Sequence, residues 1–174
     1  MNFIITQIIG GIGYSLLALS YFKKEKKQIL FMQIVAYISF TIHYYMLSGM
    51  TGAICNLIGL VALIIIYLFD KYKVKNKKLL IIGMIPFVVA IALITFKDVF
   101  SFFPIIASVI VILSFISDNE RIIRIIGVIS ALCWLLYAVV YKSYVAIAFE
   151  VITVWFVLVA LLKNDGVKDR KKDE

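Results

Sequence analysis

The sequence predicts an all-α membrane protein with seven transmembrane helices. Three observations support this fold class: 64% of the 174 residues are hydrophobic, only 16% are charged, and the apolar residues form seven long runs. Soluble domains are about half apolar and about a quarter charged. Because backbone groups inside a bilayer must hydrogen-bond within their own segment, each run is expected to be a helix.

The basic residues are concentrated in every second connection between these runs. The runs lie at about residues 3–22, 29–47, 50–69, 79–96, 99–117, 122–141 and 144–162. With seven spans, all but two of the 18 Lys and Arg residues fall on one side, the exceptions being Lys97 and Lys142. The positive-inside rule then predicts an outside N-terminus and a cytoplasmic C-terminus. The net charge of +8 reflects topology and lipid contact, so no nucleic-acid partner is expected.

The first three runs match the last three when they are shifted by 94 residues. The landmark pairs are Phe40 with Trp134, His43 with Tyr137, and Asn56 with Glu150. Parallel repeats related by an axis along the membrane normal are one known transporter plan, with the substrate site at the repeat interface. The predicted parts are a first three-helix bundle (residues 1–70), a basic loop and linker helix (71–98), a second three-helix bundle (99–163) and a cytoplasmic basic tail (164–174).

Glu150 is the one acid within the last apolar run, six residues from its start at Tyr144. It would lie roughly 9 Å deep at about 1.5 Å per residue, where an acid is costly unless it faces protein or water. Two interpretations stay open. Glu150 could exchange a proton or bind a cation during transport, with His43, the only histidine, as proton partner. Alternatively it is a structural group, hydrogen-bonded to Asn56 or Tyr137.

Six side chains reach similar depths, and we expect them to line one cavity between the bundles. The candidate substrate-binding residues are Phe40, His43, Asn56, Trp134, Tyr137 and Glu150. Aromatic faces combined with convergent polar groups suit a small polar or cationic ligand.

Other landmark residues receive smaller roles. Gly10, Gly13 and Pro104 are candidate hinges, with ordinary helix packing as the alternative. The tyrosines assigned to an interfacial aromatic belt are Tyr14, Tyr44, Tyr45, Tyr141 and Tyr144. The chain has no Walker loop, GxSxG, HExxH or metal-ligand cluster, so we expect no enzyme, no catalytic residue, no metal and no cofactor.

The run HYYMLSGMTGAICNLI (residues 43–58), together with Pro104, Cys133-Trp134, Ser143 and Glu150, resembles the YgjV-type bacterial inner-membrane protein family. The resemblance covers roughly residues 5–162 and implies a location in the bacterial cytoplasmic (inner) membrane. That family is grouped with the SWEET, semiSWEET and PQ-loop proteins. The grouping implies a SWEET-like 3+1+3 fold, with two parallel three-helix bundles joined by a linker helix.

The SWEET resemblance also implies a pocket. In SWEET transporters the pocket uses a tryptophan of the middle helix and an asparagine of the last helix of each bundle. Trp134 and Asn56 are similar to that set, whereas Phe40 and Glu150 depart from it, and the PQ dipeptide is absent. These departures favour a cationic substrate or proton coupling over neutral-sugar uniport.

The function predicted from the sequence is therefore small-solute transport by alternating access, with proton coupling through Glu150 left open. Its expected partners are a polar or cationic solute and membrane lipids, and a homo-oligomer is compatible with the sequence. The alternative is a non-transport membrane protein, such as an assembly, immunity or sensing partner, with a structural polar core.

Overall fold

The computed structural model describes residues 2–20, 26–72, 74, 77–114 and 120–170. All regular structure in these residues is helical, which confirms the predicted all-α class. The helices are α1 (Phe3–Ser20), α2 (Lys26–Met46), α3 (Met50–Lys71), α4 (Lys77–Ile94), α5 (Phe102–Ser114), α6 (Glu120–Val140) and α7 (Tyr144–Arg170). A 3₁₀ turn, Val99–Ser101, leads into α5.

Three of the described helices are long and apolar enough to cross a bilayer, which needs about 20 apolar residues. These spans are Phe3–Ser20, Gln28–Met46 and Met50–Phe69. Shorter apolar stretches cover Val99–Leu113, Ile125–Val140 and Tyr144–Val159. The helices thus fit an integral membrane protein. The number of spans and the sides on which the termini lie stay predictions.

The helices form two groups that meet along a common boundary. α2 packs along α1 and α3, and α6 packs along α5 and α7. We call α1–α3 the first group and α5–α7 the second group. α4 lies against α3 and α5, while α1 meets α7 and α3 meets α5 at the boundary between the groups. Side chains of the middle helices α2 and α6 also meet there, with 5.4 Å between the ring centroids of Tyr44 and Tyr137.

Four of the six helix boundaries of the two groups coincide under the 94-residue shift. The equivalent positions are Ser20 and Ser114 where α1 and α5 end, Lys26 and Glu120 where α2 and α6 begin, Met46 and Val140 where they end, and Met50 and Tyr144 where α3 and α7 begin. The start of α5 and the end of α7 each lie five residues beyond the positions equivalent to the start of α1 and the end of α3.

The turns after α2 and α6 share one backbone geometry. Ser48 and Lys142 have φ of 61° and 54°, and no other described non-glycine residue has a positive φ. The next amide, of Gly49 or Ser143, donates to the carbonyl five residues earlier at 2.9 Å. This is the bond of a Schellman motif, which satisfies carbonyls at a helix end. The turn between α2 and α3 and the turn between α6 and α7 therefore have the same backbone conformation, although their side chains differ.

The helix α7 extends beyond the last apolar run. That run ends at about residue 162, and α7 continues to Arg170, into the segment predicted to be the cytoplasmic tail. Extending an existing helix adds one hydrogen bond for each residue ordered. The helix formed by the apolar run therefore continues into the charged segment that follows it. Parts of the predicted basic connections (residues 21–25, 73, 75–76 and 115–119) and residues 171–174 lie outside the described residues.

Candidate functional site

Glu150 lies on α7 and meets α1 at the boundary between the groups. The Tyr14 hydroxyl donates to Glu150 Oε1 at 3.3 Å. The buried Tyr14 ring is stacked on Phe149, with centroids 4.9 Å apart, and lies 4.5 Å from the Phe40 ring. The half-buried acid thus faces protein, in surroundings built from α1, α2 and α7.

The structural interpretation of Glu150 named Asn56 or Tyr137 as its hydrogen-bond partner. Both of these side chains bond to Gly52 instead. The Asn56 amide donates to the Gly52 carbonyl at 2.9 Å, and the Gly52 amide donates to the Tyr137 hydroxyl at 2.9 Å. Among the described residues, Glu150 receives its hydrogen bond from Tyr14.

Tyr14 is a site residue that the sequence reasoning missed. It was assigned to an interfacial belt, yet it lies in the middle of α1 and is only 7% exposed. A signal was present in the spacing of Thr6, Gly10, Gly13 and Tyr14, which are all buried. Spacings of four, seven and eight residues from Thr6 place all four on one face of a helix.

His43 is fully buried between α1 and the turn that precedes α7. Its Nδ1 lies 2.7 Å from the Thr6 carbonyl oxygen and its Nε2 lies 2.6 Å from Ser143 Oγ. Because a carbonyl only accepts, Nδ1 carries a hydrogen, and Nε2 of the neutral ring accepts from Ser143. These contacts fit the packing interpretation of His43, and its role as a proton partner stays a prediction.

Tyr137 occupies the place of His43 in the second group and makes the equivalent contact with the first group. Its hydroxyl reaches the start of α3, where it accepts from Gly52. A Cβ on Gly49, the equivalent of Ser143, would lie only 2.9 Å from this hydroxyl oxygen. The large Tyr137 side chain lies opposite Gly49, and the smaller His43 side chain lies opposite Ser143. The two pairs therefore fill equivalent spaces.

Further hydrogen bonds join the groups at this end of the helices. The Gln7 amide donates to the Lys142 carbonyl at 3.1 Å and accepts from the Val145 amide at 3.3 Å. Thr51 Oγ1 lies 3.1 Å from Ser101 Oγ. Under the 94-residue shift, Ser101 is the equivalent of Gln7 and Thr51 of Val145. The contact between α1 and the start of α7 thus recurs between the 3₁₀ turn before α5 and the start of α3, with different side chains.

The Tyr141 hydroxyl connects the turn before α7 to the start of the 3₁₀ turn. It donates to Asp98 Oδ2 at 3.3 Å. Burial and the negative charge of Asp98 raise the pKa of Tyr141, so the hydroxyl stays protonated and remains the donor. We call this end of the molecule, where the turns before α3, α5 and α7 meet, the turn end.

Aromatic rings fill the space between the turn-end hydrogen bonds and Glu150. The Tyr44 ring is 5.6 Å from that of Trp134, and Trp134 also packs against Cys55 and Ile105. Tyr44 is 1% exposed, so its assignment to an interfacial belt is wrong. Phe40, at 6% exposed, packs against Ala138 and Tyr14.

The hinge candidates lie at close contacts between helices. A Cβ on Gly10 would be 2.7 Å from His43 Nδ1, and one on Gly13 would be 2.8 Å from Phe40 Cε1. Pro104 is buried in the first turn of α5, where proline breaks no helical hydrogen bond. This geometry is that of close packing, and a hinge role for these residues stays a prediction.

A double-mutant cycle on His43 and Ser143 tests the buried hydrogen bond between the groups. Ser143→Ala leaves His43 Nε2 without its donor, so we expect a loss of about 1–3 kcal/mol in the free energy of unfolding. The double variant His43→Leu/Ser143→Ala should lose less free energy of unfolding than the two single variants together, by about 1 kcal/mol. Unfolding of the purified protein in detergent measures this, and strictly additive losses would show that the contact is not made.

The fold and this site define a helical membrane protein whose polar side chains lie at the boundary of two three-helix groups. Residues 4–167 match the Imp-YgjV family, described as a bacterial inner membrane protein, and the chain belongs to that family. The resemblance identified from the sequence is thereby confirmed. No match was found among curated proteins or among solved structures.

Proposed function

We propose that the protein is a small-solute transporter of SWEET-like type. In this proposal the first and second groups are two parallel three-helix bundles joined by α4, and they rock about a site between them. The observation that carries the proposal is the position of Glu150, whose carboxyl bonds to Tyr14 across the boundary of the groups. An ionisable residue inside a membrane protein is by default a functional group.

The four coinciding helix boundaries support the parallel arrangement. If successive helices cross the membrane in alternate directions, the one intervening helix α4 gives equivalent helices of the two groups the same direction. In transporters built from parallel repeats, the substrate site lies where the repeats meet. Glu150, Tyr14, Phe40 and Trp134 are the side chains that we assign to this site.

The turn-end hydrogen bonds suit the closed side of an alternating-access cycle. The bonds of His43 to Ser143 and of Tyr137 to Gly52 are contacts that would separate when this side opens. Each net hydrogen bond contributes about 1 kcal/mol. A few such bonds give an energy difference that binding of a solute can overcome. With the predicted topology, the turn end is the outer side of the membrane.

Glu150 is proposed to bind a cationic solute or to exchange a proton during the cycle. His43 remains the proposed proton partner in the second case. His43 bonds to Ser143, which lies in the turn directly before α7, the helix that carries Glu150.

Uptake into proteoliposomes tests the function. Sugars, amines and vitamins would be offered with and without a pH gradient, and empty liposomes would serve as the control. Saturable, protein-dependent uptake of one class of solute is expected. Absence of uptake across the whole panel by correctly folded protein would contradict the proposal.

Cysteine accessibility separates transport from the non-transport alternative. In a background with Cys55→Ser and Cys133→Ser, Asn56→Cys would be labelled from each side of the membrane. A transporter should expose this position to one side at a time, and solute should change the labelling rate. Labelling from neither side under any condition favours the structural alternative.

A further inference from the structure

The hydroxyl of Tyr44 is buried without a hydrogen-bond partner, and it is the one buried side-chain polar atom in the described part of the chain with that property. Tyr44 lies on α2, and its ring packs against the rings of Trp134 and Tyr137 on α6. Leaving a buried hydroxyl unsatisfied destabilises a protein, and such a group calls for a specific explanation.

The neighbours of Tyr44 direct their hydrogens elsewhere. The hydroxyl lies close enough to Tyr14, Ser143 and Glu150 to interact with them electrostatically, although none meets hydrogen-bond geometry. Tyr14 donates its hydrogen to Glu150, and Ser143 donates its hydrogen to His43. The Tyr44 oxygen therefore lacks a donor.

The second carboxyl oxygen of Glu150 also has no donor within the described residues, since Tyr14 bonds to Oε1. No lysine or arginine lies within α1, and the basic residues of α2 and α7 stand near the helix ends. Within the described residues, the Tyr44 oxygen and Glu150 Oε2 thus accept no hydrogen bond, and Glu150 has no ion-pair partner.

We propose that Tyr44 and Glu150 together bind the ammonium group of the transported solute, so that the substrates are small primary or secondary amines. An ammonium group supplies the missing donors and the missing positive charge at once. The rings of Tyr14, Phe40 and Trp134 add faces that attract a cation. A neutral sugar would supply hydroxyl donors and leave the carboxylate uncompensated.

The inference rests on the proposed function and names its substrate class. In the absence of amine, a proton on Glu150 neutralises the carboxyl group, and binding of the ammonium group releases that proton to solvent. Tyr14 from α1 and Tyr44 from α2 are the titratable groups that interact with Glu150. Tyr137 from α6 bonds to Gly52, and His43 from α2 bonds to Thr6 and Ser143.

Binding of ethanolamine, tetramethylammonium and glucose to the purified protein tests the inference by calorimetry. Ethanolamine carries N–H donors and a charge, tetramethylammonium carries a charge alone, and glucose carries donors alone. We expect ethanolamine to bind at least tenfold more tightly than either of the others. Equal affinities, or preference for glucose, would overturn the amine assignment.

Tyr44→Phe removes the hydroxyl and keeps the ring. It should weaken ethanolamine binding about tenfold and leave the weaker binding of tetramethylammonium unchanged. The Tm should stay the same or rise, because the lost hydroxyl has no partner to leave behind. Tyr45→Phe is the matched control, since the neighbouring Tyr45 is 60% exposed, and it should change neither affinity nor Tm.

The outcomes separate this inference from the proposed function. Wild-type ethanolamine affinity in Tyr44→Phe, or a Tm several degrees lower, would overturn the role of Tyr44. Protein-dependent uptake of sugars without uptake of amines would overturn the inference and leave transport standing. Amine binding without uptake of any solute would overturn transport and leave a binding site.

Discussion

Gly52→Ala is expected to lower the free energy of unfolding by about 3 kcal/mol, the upper range for an overpacked core. The new Cβ would fall inside the van der Waals surface of the Tyr137 ring, with Cζ at 3.0 Å and the hydroxyl oxygen at 3.1 Å. Tyr137 is 0% exposed and lies against Tyr141 and Tyr44, so its ring has no free space to enter. Moving the backbone instead would stretch the hydrogen bond from the Gly52 amide to the Tyr137 hydroxyl.

Gly127→Ala on α6 is the matched control. A Cβ there meets nothing within 4 Å, and alanine is about 1 kcal/mol more favourable than glycine in a helix. The control should therefore leave the Tm unchanged or slightly higher. Tyr137→Val, added to Gly52→Ala, should recover part of the loss by removing the ring. Thermal unfolding in detergent measures all three variants, and equal behaviour of the two glycine replacements would contradict the packing described for Gly52.

The helices and the matching positions of several helix ends could be predicted from the sequence because both depend on position along the chain. Apolar runs separated by basic or polar residues locate helix ends, and the 94-residue shift keeps them in register. Depth inside a helix also follows from position, through a fixed rise per residue. Glu150 and Asn56 were therefore assigned equivalent levels in their groups.

The contacts of the site could not be predicted in the same way, because depth does not fix the direction of a side chain. Tyr44 and Tyr45 are adjacent in sequence, yet one is 1% and the other 60% exposed. They point about 100° apart on a helix of 3.6 residues per turn, and only the packing of neighbouring helices decides which one faces inward. The bond between Tyr14 and Glu150 joins residues 136 positions apart and depends on the meeting of α1 with α7.

Glu150→Gln is expected to reduce solute uptake at least a hundredfold and to leave the fold intact. Glutamine has nearly the same shape, and its carbonyl oxygen can still accept the hydrogen bond from Tyr14, so the free energy of unfolding should change by about 1 kcal/mol or less. It can neither carry a negative charge nor release a proton. Losing one partner of a buried ion pair costs about 3–5 kcal/mol, which corresponds to more than a hundredfold in affinity at about 1.4 kcal/mol per factor of ten.

Two further variants separate the charge of Glu150 from its hydrogen bond. Tyr14→Phe removes the donor and keeps the acid, so uptake should fall only about fivefold, the effect of one hydrogen bond of about 1 kcal/mol. Glu150→Asp keeps the charge on a shorter side chain and should retain more uptake than Glu150→Gln. Uptake is measured in proteoliposomes with and without a pH gradient, beside the Tm of each variant. If Glu150→Gln transports solute at the wild-type rate with unchanged dependence on the pH gradient, the acid has a structural role, and the coupling assigned to it is wrong.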